Sequence, residues 1–295
     1  MTGLDRVVRL AGVQMAMVPD RAANLARALA MADEAASRGA SLVVLPELFT
    51  GLYFPQYPER AEFLEWAEPI PGPTTAALGR AAARLRVTLV ASVFERALPG
   101  LTFNTAVVVG PDGSLVGRAR KAHIPDGPGY AEKFYFAPGD SDYPVFDLEP
   151  GGVPLPTATP TCWDQWFPEV ARIAALRGAE LIAYPTAIGS EPAYPGMDTH
   201  DAWRTVMRGH AIANCLAVLA VNRCGTEDAI TFYGGSFLAG PMGEILAELG
   251  PDEGILEAEL DLAAIDRART LSPFFRDRRT DTYGPLLTRG GGPAR

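Results

Sequence analysis

The sequence predicts an α/β fold built from two similar halves. Short apolar runs alternate with amphipathic stretches, this alternation occurs twice along the chain, and each half contains a hairpin signal. No linker rich in Gly, Ser or Pro separates the halves, so we expect a single domain over residues 1–269. A polar, basic tail over residues 270–295 follows, and we expect disorder from Gly290 onwards.

The elements of the first half follow from periodicity and from helix-end signals. Val7–Val13 is apolar enough for a buried strand. One apolar face then recurs over residues 20–38, where Asp20 can cap the start of a helix and Gly39 its end. The remaining predictions are a strand at Leu42–Leu45, a helix at Thr74–Arg86, and strands at Thr88–Phe94, Thr105–Val109 and Leu115–Arg120, the last two joined by a hairpin at Gly110–Gly113.

The second half repeats this order. Helices are predicted at Phe167–Gly178, Asp198–Asn214 and Leu262–Arg269, and strands at Ala179–Tyr184, Leu216–Val221, Ile230–Ala239, Glu244–Leu249 and Gly254–Leu260, with a second hairpin at Gly240–Gly243. Pro154, Pro156 and Pro160 interrupt the approach to Cys162, and proline lacks the N–H that a sheet requires. We therefore expect an irregular or shortened strand there, with reduced packing beneath Cys162.

Composition excludes several classes of function. The net charge of −9 argues against a nucleic-acid partner, because phosphate binding needs clustered Lys and Arg. The most apolar runs are far shorter than the roughly 20 residues that a membrane-spanning helix needs, so we expect no membrane association. Three cysteines without a CxxC pair argue against disulfides and favour a cytoplasmic location, and three scattered histidines argue against a zinc site.

Reactive side chains follow apolar runs at three places, and α/β folds usually build their sites at the ends of strands. Glu47 could exchange protons, or could cap a nearby loop. Lys121 could stabilise an oxyanion, or could lie at a solvated hairpin end. Cys162 precedes a helix whose start favours a nucleophilic thiolate, although free cysteines are more often inert and buried.

Together these motifs resemble the nitrilase superfamily of carbon–nitrogen hydrolases, whose catalytic residues are Glu, Lys and Cys in this order. The resemblance spans roughly residues 7–288. The strings that carry it are KAHIPDGPGY at 121–130, EKFYF at 132–136, CWDQWFPE at 162–169, YPTAIGSEP at 184–192 and FRDRR at 275–279. The resemblance implies that Glu47, Lys121 and Cys162 are catalytic and that Glu132 either positions Lys121 or the substrate or forms a salt bridge to Lys121.

The resemblance also implies a four-layer αββα sandwich and a homodimer or larger homo-oligomer, in which the C-terminal tail contacts a partner subunit. It further implies hydrolysis of a small carbon–nitrogen substrate through a covalent thioester. No cofactor is expected, organic or metal, because a thiolate, a carboxylate and an ammonium supply the roles that the reaction needs.

The charges and aromatic residues near these motifs favour a cationic substrate such as a carbamoylated diamine. Carboxylates with aromatic walls suit an ammonium through ion pairing and cation–π contact. Glu191 is the candidate partner of the ammonium, and Asp164 either binds the substrate or caps a helix. The candidate aromatic residues are Tyr53, Tyr130, Trp163 and Trp166.

Other functions stay open at this point. The substrate could be that of a β-ureidopropionase, an ω-amidase or a nitrilase. A different class is an inactive scaffold that binds a polyamine or a partner protein. The proline-interrupted approach to Cys162 favours the scaffold, whereas the presence of Glu47, Lys121 and Cys162 argues against it.

Overall fold

The computed structural model describes residues 6–290, which form two six-stranded sheets, a short two-stranded sheet and five α-helices. The helices are α1 Arg21–Ser37, α2 Pro73–Leu85, α3 Pro168–Leu176, α4 His200–Asn214 and α5 Leu262–Leu271. The strands are β1 Val7–Gln14, β2 Leu42–Val44, β3 Thr88–Leu98, β4 Leu101–Val109, β5 Leu115–Arg120, β6 Val145–Leu148, β7 Leu155–Ala158, β8 Leu181–Thr186, β9 Ala217–Asn222, β10 Cys224–Glu227, β11 Ile230–Tyr233, β12 Phe237–Ala239, β13 Ile245–Glu248 and β14 Gly254–Asp261. None of the helices in this range is long and apolar enough to cross a membrane.

The first large sheet has the order β14-β1-β2-β3-β4-β5 and the second the order β13-β12-β9-β8-β7-β6. Successive side chains of a strand point to opposite faces, and both faces of each sheet are covered. In β2, Leu42 and Val44 pack between the two sheets, whereas Val43 packs beneath the helices. This double burial explains why the predicted strands are continuous apolar runs rather than alternating ones.

Helices cover the outer face of each sheet. The small buried residues Ala28, Ala32 and Ala35 bring α1 close to the first sheet, and α2 packs beside it. Trp203 and Met207 of α4 pack on the second sheet together with α3. The predicted αββα sandwich is therefore confirmed, with one core between the sheets and one beneath each helix layer.

The two sheets approach each other closely at Gly12 of β1. A Cβ atom at this position would lie 2.7 Å from Cγ2 of Val221 on β9, which is closer than packed atoms tolerate. The edge strand of the first sheet is β14, which pairs antiparallel with β1 from Val7 opposite Asp261 to Gln14 opposite Gly254.

The predicted helix cap at the start of α1 is present, since Asp20 accepts hydrogen bonds from the backbone nitrogens of Ala22 and Ala23.

Two sequence predictions differ from the structure. The strand expected at Ile230–Ala239 is broken, because Gly234 and Gly235 both adopt positive φ, so that β11 pairs with β10 while β12 joins the second sheet. β6 and β10 were not predicted. β7 is the shortened strand expected before Cys162, and Pro156 lies within it opposite Asp147, with its carbonyl accepting from the backbone nitrogen of Glu180.

The tail continues beyond α5 over the outside of the second sheet. The guanidinium groups of Arg172 and Arg269 lie 5.5 and 5.8 Å from the ring centre of Phe275. Leu286 and Leu287 are 65% and 88% exposed. Apart from Gly290, the segment predicted to be disordered lies outside the described residues.

Candidate active site

A buried cluster of opposite charges lies beside the first sheet, where Glu47 follows β2 and Lys121 follows β5. The Nζ atom of Lys121 is 2.9 Å from Oε1 of Glu47 and 2.6 and 2.8 Å from the two carboxylate oxygens of Glu132. All three residues are at most 1% exposed. The structure therefore brings these three predicted site residues together and gives the buried ammonium two carboxylate partners.

Neighbouring strands hold the carboxylate of Glu47 in place. The residue follows β2, and its backbone nitrogen donates to the carbonyl of Thr186 at the end of β8. Asn104 on β4 donates from Nδ2 to Glu47 Oε1 over 2.6 Å, and Ser92 on β3 donates to Asn104 Oδ1 over 2.7 Å. The other carboxylate oxygen, Glu47 Oε2, is buried and has no hydrogen-bond partner within residues 6–290. One oxygen thus fixes the side chain, and the second remains able to accept a proton.

Asp164 connects the segment after Lys121 to the turn that carries Cys162. Its carboxylate accepts from the backbone nitrogens of Ala122 and His123 and, on the other side, from the backbone nitrogen of Thr161. The side chain is almost fully buried. This is the capping alternative, and it turns the carboxylate of Asp164 towards the backbone rather than towards a substrate.

Cys162 begins a 3-10 turn, Cys162–Trp166, that precedes α3. Its φ of 42° is unusual for a residue with a side chain, and its thiol donates to the carbonyl of Ala187 over 3.6 Å. Burial, and then the charge of Glu47, raises the pKa of the thiol, against the opposing effect of Lys121. The raised pKa favours a neutral thiol in the resting site, which needs a base before the sulfur can attack.

Burial and charge act in opposite directions on the two partners of the central ion pair. Burial alone would lower the pKa of Lys121, but the carboxylates of Glu132 and Glu47 outweigh it and raise that pKa. Burial raises the pKa of Glu132 to about 7, although the Lys121 ammonium pulls it down. Lys121 is therefore a permanent cation, while Glu132 titrates close to neutral pH.

The predicted substrate residues divide into two groups. Tyr130 and Glu191 lie at one end of the site: the Tyr130 hydroxyl donates to the carbonyl of Ser190, the residue before Glu191, over 3.0 Å. Burial, followed by the charge of Glu191, raises the pKa of the Tyr130 phenol. Tyr53 packs beside Tyr130, with ring centres 5.8 Å apart, but it is fully buried and its hydroxyl donates to Glu132 Oε1 over 2.6 Å. Tyr53 therefore contacts a charged residue of the cluster directly.

The two tryptophans have different environments. Trp163 is 38% exposed, whereas Trp166 is half-buried and packs against the outer core of the second sheet. Their ring centres lie 6.4 Å apart, and within the described residues neither side chain hydrogen-bonds to Glu47, Lys121 or Glu132. Among residues 6–290, no three His, Cys, Asp or Glu side chains converge in a way that could hold a metal ion.

Sequence reasoning missed the residues that support Glu47. Ser92 and Asn104 are polar residues inside strands that are otherwise apolar, and such interruptions are a usable signal. Arg223 was also missed. Arg223 lies two positions after the apolar run Leu216–Val221. The rule that polar residues after buried strands are site candidates, which identified Glu47, would also have identified Arg223.

The sandwich and the buried Glu–Lys–Cys site define the class of protein. The carbon-nitrogen hydrolase family model matches residues 9–270, and the chain belongs to this family.

The relatives are similar over nearly their whole length. An N-carbamoylputrescine amidase from Arabidopsis thaliana is 44% identical over 98% of this chain and 98% of its own. A citrullinase from Francisella tularensis is 41% identical over 95% of this chain and 98% of its own. The crystal structure of a carbon-nitrogen hydrolase from Helicobacter pylori G27 is 39% identical and superimposes with a TM-score of 0.90 over 96% of this chain and 99% of its own.

Proposed function

We propose that the chain hydrolyses N-carbamoylputrescine to putrescine, carbon dioxide and ammonia through a thioester on Cys162. The observation that carries the reaction is the buried Glu47–Lys121 pair, 2.9 Å apart, whose charges act on the Cys162 thiol. The amidase relatives named N-carbamoylputrescine amidase support the substrate.

The first half of the reaction forms the covalent intermediate. Oε2 of Glu47 takes the thiol proton of Cys162 while the sulfur attacks the carbamoyl carbon. The Lys121 ammonium and the backbone N–H of Trp163 stabilise the negative charge that develops on the carbonyl oxygen. Glu47 then gives its proton to the departing nitrogen, the C–N bond breaks, and the amine leaves.

The second half returns the site to its resting state. Glu47 takes a proton from water as the water oxygen attacks the thioester carbon, and Lys121 again stabilises the oxyanion. The proton returns to the sulfur as the C–S bond breaks. One water is consumed, and the carbamic acid that leaves the site breaks down to carbon dioxide and the second nitrogen product. The neutral thiol of Cys162 is restored, which is the resting form that its raised pKa favours.

The charges at the Tyr130 end of the site support a substrate with an ammonium group. After burial, the carboxylate of Glu191 is the first group that raises the pKa of the Tyr130 phenol. Glu191 and Asp198 also raise the pKa of Tyr233. Two carboxylates therefore act on the aromatic residues at this end of the site. A diamine ammonium is attracted to such a surface, whereas a carboxylate is repelled.

Citrulline is a second candidate, because a citrullinase is among the relatives. Citrulline has the same carbamoyl group and an ammonium, but it also has a carboxylate beside that ammonium. The carboxylate would approach Glu191, so we expect weaker binding of citrulline than of N-carbamoylputrescine.

The test is steady-state ammonia release from four substrates: N-carbamoylputrescine, citrulline, N-carbamoyl-β-alanine and a simple ω-amide. We expect the highest kcat/KM with N-carbamoylputrescine. Cys162→Ala should abolish release, and more than a few per cent of residual activity would contradict the thioester. No turnover of any of the four by the wild-type chain would instead support a binding scaffold.

We also propose that the chain forms a homodimer or larger homo-oligomer through its tail. Leu286 and Leu287 are 65% and 88% exposed, and an assembly would remove them from water. Light scattering should show a smaller particle for Leu286→Ser/Leu287→Ser than for Thr288→Ser.

We propose a cytoplasmic location because Cys162, Cys215 and Cys224 are all free thiols, and cell fractionation tests this location.

A further inference from the structure

A second buried ion pair lies outside the charged cluster described above. Arg223 follows β9, Glu227 ends β10, and Nη1 of the arginine is 2.7 Å from Oε1 of the glutamate. Their side chains are 0% and 2% exposed. Removing two charges from water is costly, and well-packed apolar residues of similar volume often stabilise a fold equally well. Stability alone therefore does not explain this pair.

The arginine fixes the backbone of the turn that carries Glu47. Its Nη2 atom donates to the carbonyls of Glu47 and Leu48 over 2.7 and 3.1 Å, and Nη1 donates to the carbonyl of Gly51 over 3.3 Å. Leu48 adopts a φ of 49°, so this turn is irregular. Irregular backbone lacks partners of its own, and the planar guanidinium supplies several donors in a fixed geometry.

The glutamate fixes the other end of the same turn. Oε2 of Glu227 accepts a hydrogen bond from the backbone nitrogen of Tyr53 over 2.5 Å. The ring of Tyr53 also lies 5.7 Å from the guanidinium carbon of Arg223. The hydroxyl of Tyr53 donates to Glu132. Residues 47–53 therefore begin with one residue of the charged cluster, Glu47, and end with a residue that hydrogen-bonds to another.

We propose that Arg223 and Glu227 are positioning residues for Glu47 and Tyr53 in the proposed hydrolysis. Arg223 holds the main chain of the general base, and Glu227 holds the main chain of the residue that bonds Glu132. The guanidinium is thus directed at backbone carbonyls and takes no part in proton transfer. The inference rests on the proposed function for its reaction but not for its geometry.

A double-mutant cycle separates positioning from stability. Arg223→Met and Glu227→Gln should each lower the melting temperature, because each leaves one buried polar group without its partner. The double variant removes both charges and should recover part of the melting temperature. Its kcat for N-carbamoylputrescine should nevertheless remain about tenfold or more below that of the wild type, with KM changed by less than about threefold. The reason is that residues 47–53 still lack the hydrogen bonds that Arg223 and Glu227 supply.

Conservative and matched controls accompany the cycle. Arg223→Lys keeps the charge but loses the planar guanidinium group with its several donors. Its kcat should therefore lie between those of the wild type and Arg223→Met. Arg269 donates to the carbonyls of Ala179 and Cys215 elsewhere in the fold, and Arg269→Lys should leave kcat unchanged.

A second readout does not use the carbamoyl substrate. The rate at which iodoacetamide alkylates Cys162 depends on the charges around the thiol. This rate is measured at a series of pH values from the mass of the peptide that contains Cys162. The charge of Glu47 raises the pKa of Cys162, so loosening Glu47 in the double variant should move the alkylation midpoint down by about half a pH unit. The Arg269→Lys control should keep the wild-type midpoint.

These readouts separate the possible failures. If kcat recovers together with the melting temperature and the alkylation midpoint stays at the wild-type value, the pair is structural only and the inference is overturned. If the wild-type chain does not hydrolyse N-carbamoylputrescine but the midpoint shifts as expected, the proposed substrate fails and the positioning role is supported.

Discussion

Oδ1 of Asp164 lies 2.9 Å from the backbone nitrogen of His123 and 2.7 Å from Nδ1 of its ring. One carboxylate oxygen thus holds both the main chain and the imidazole of a residue two positions after Lys121. The ring is held from the other side by Phe167, with ring centres 3.6 Å apart and planes 9° from parallel. The segment that carries the ammonium is therefore fastened to the segment that carries the thiol.

Asp164→Asn should lower kcat by about a hundredfold with little change in KM. The amide places a donor where Oδ2 of the carboxylate accepted from the backbone nitrogens of both Ala122 and Thr161. The Lys121 and Cys162 segments therefore separate slightly, and small displacements of reacting groups are costly. Steady-state ammonia release measures the change. Asp20→Asn alters a helix cap far from the site and should keep the wild-type kcat. A kcat for Asp164→Asn within about threefold of the wild type would contradict this role.

Tyr53→Phe should lower kcat by about tenfold while KM stays nearly constant. The change removes only the hydroxyl that donates to Glu132, and it leaves the buried ring in place. The matched control is Tyr184→Phe, because the Tyr184 hydroxyl is buried without a hydrogen-bond partner within residues 6–290. If Tyr53 were instead part of a substrate-binding wall, KM would rise and kcat would hold.

Glu132 should make stability depend on pH. Burial raises its folded-state pKa to about 7 from an ordinary value of 4.5, so between these values the folded chain binds the proton more tightly than the unfolded chain. Its contribution is therefore present below pH 4.5 and lost as the pH rises through about 7.

The measurement is the free energy of unfolding by urea at pH 5.5 and pH 8 for the wild type and for Glu132→Gln. The wild type should lose more stability than the variant over this interval. Glu95→Gln is the control, because Glu95 is a buried carboxylate whose pKa is lowered in the folded chain despite the effect of burial, owing to hydrogen bonds from Arg120 and Thr105. Equal losses in the wild type and Glu132→Gln would argue that Glu132 does not titrate here.

Glu191→Gln should raise KM for N-carbamoylputrescine by about tenfold or more and change kcat much less. The amide keeps the size of the side chain but loses the charge that attracts the ammonium. N-carbamoylbutylamine lacks the ammonium, so its KM should be the same for the wild type and the variant. Glu169→Gln, on the exposed first turn of α3, is the matched control. An unchanged KM for N-carbamoylputrescine would contradict the assignment of Glu191 as the partner of the ammonium.

The sequence was informative where local pattern decides the structure. Periodicity located α1 and its Asp20 cap, and the rule that polar residues follow buried strands found Glu47. The break between β11 and β12 was missed because the glycine pair at 234–235 was included in an apolar run, although only glycine adopts positive φ easily.

Long-range contacts account for the other differences. Nothing local reveals that Asp164 faces the backbone of residues 122 and 123, or that Arg223 reaches residues 47–51. The state of the Cys162 thiol also depends on the summed charges of Glu47, Glu132 and Lys121, which come from separate segments. The helix start after Cys162 therefore does not by itself determine the pKa of the thiol.

The pairing of β14 with β1 sets an order of events during synthesis. Gly254–Asp261 emerges from the ribosome long after Val7–Gln14, so one edge of β1 stays unpaired until β14 has been made. An open strand edge can pair with another nascent chain. The first sheet is consequently begun by β1 and completed only by β14, and it is open to misassembly while the whole segment between these two strands is synthesised.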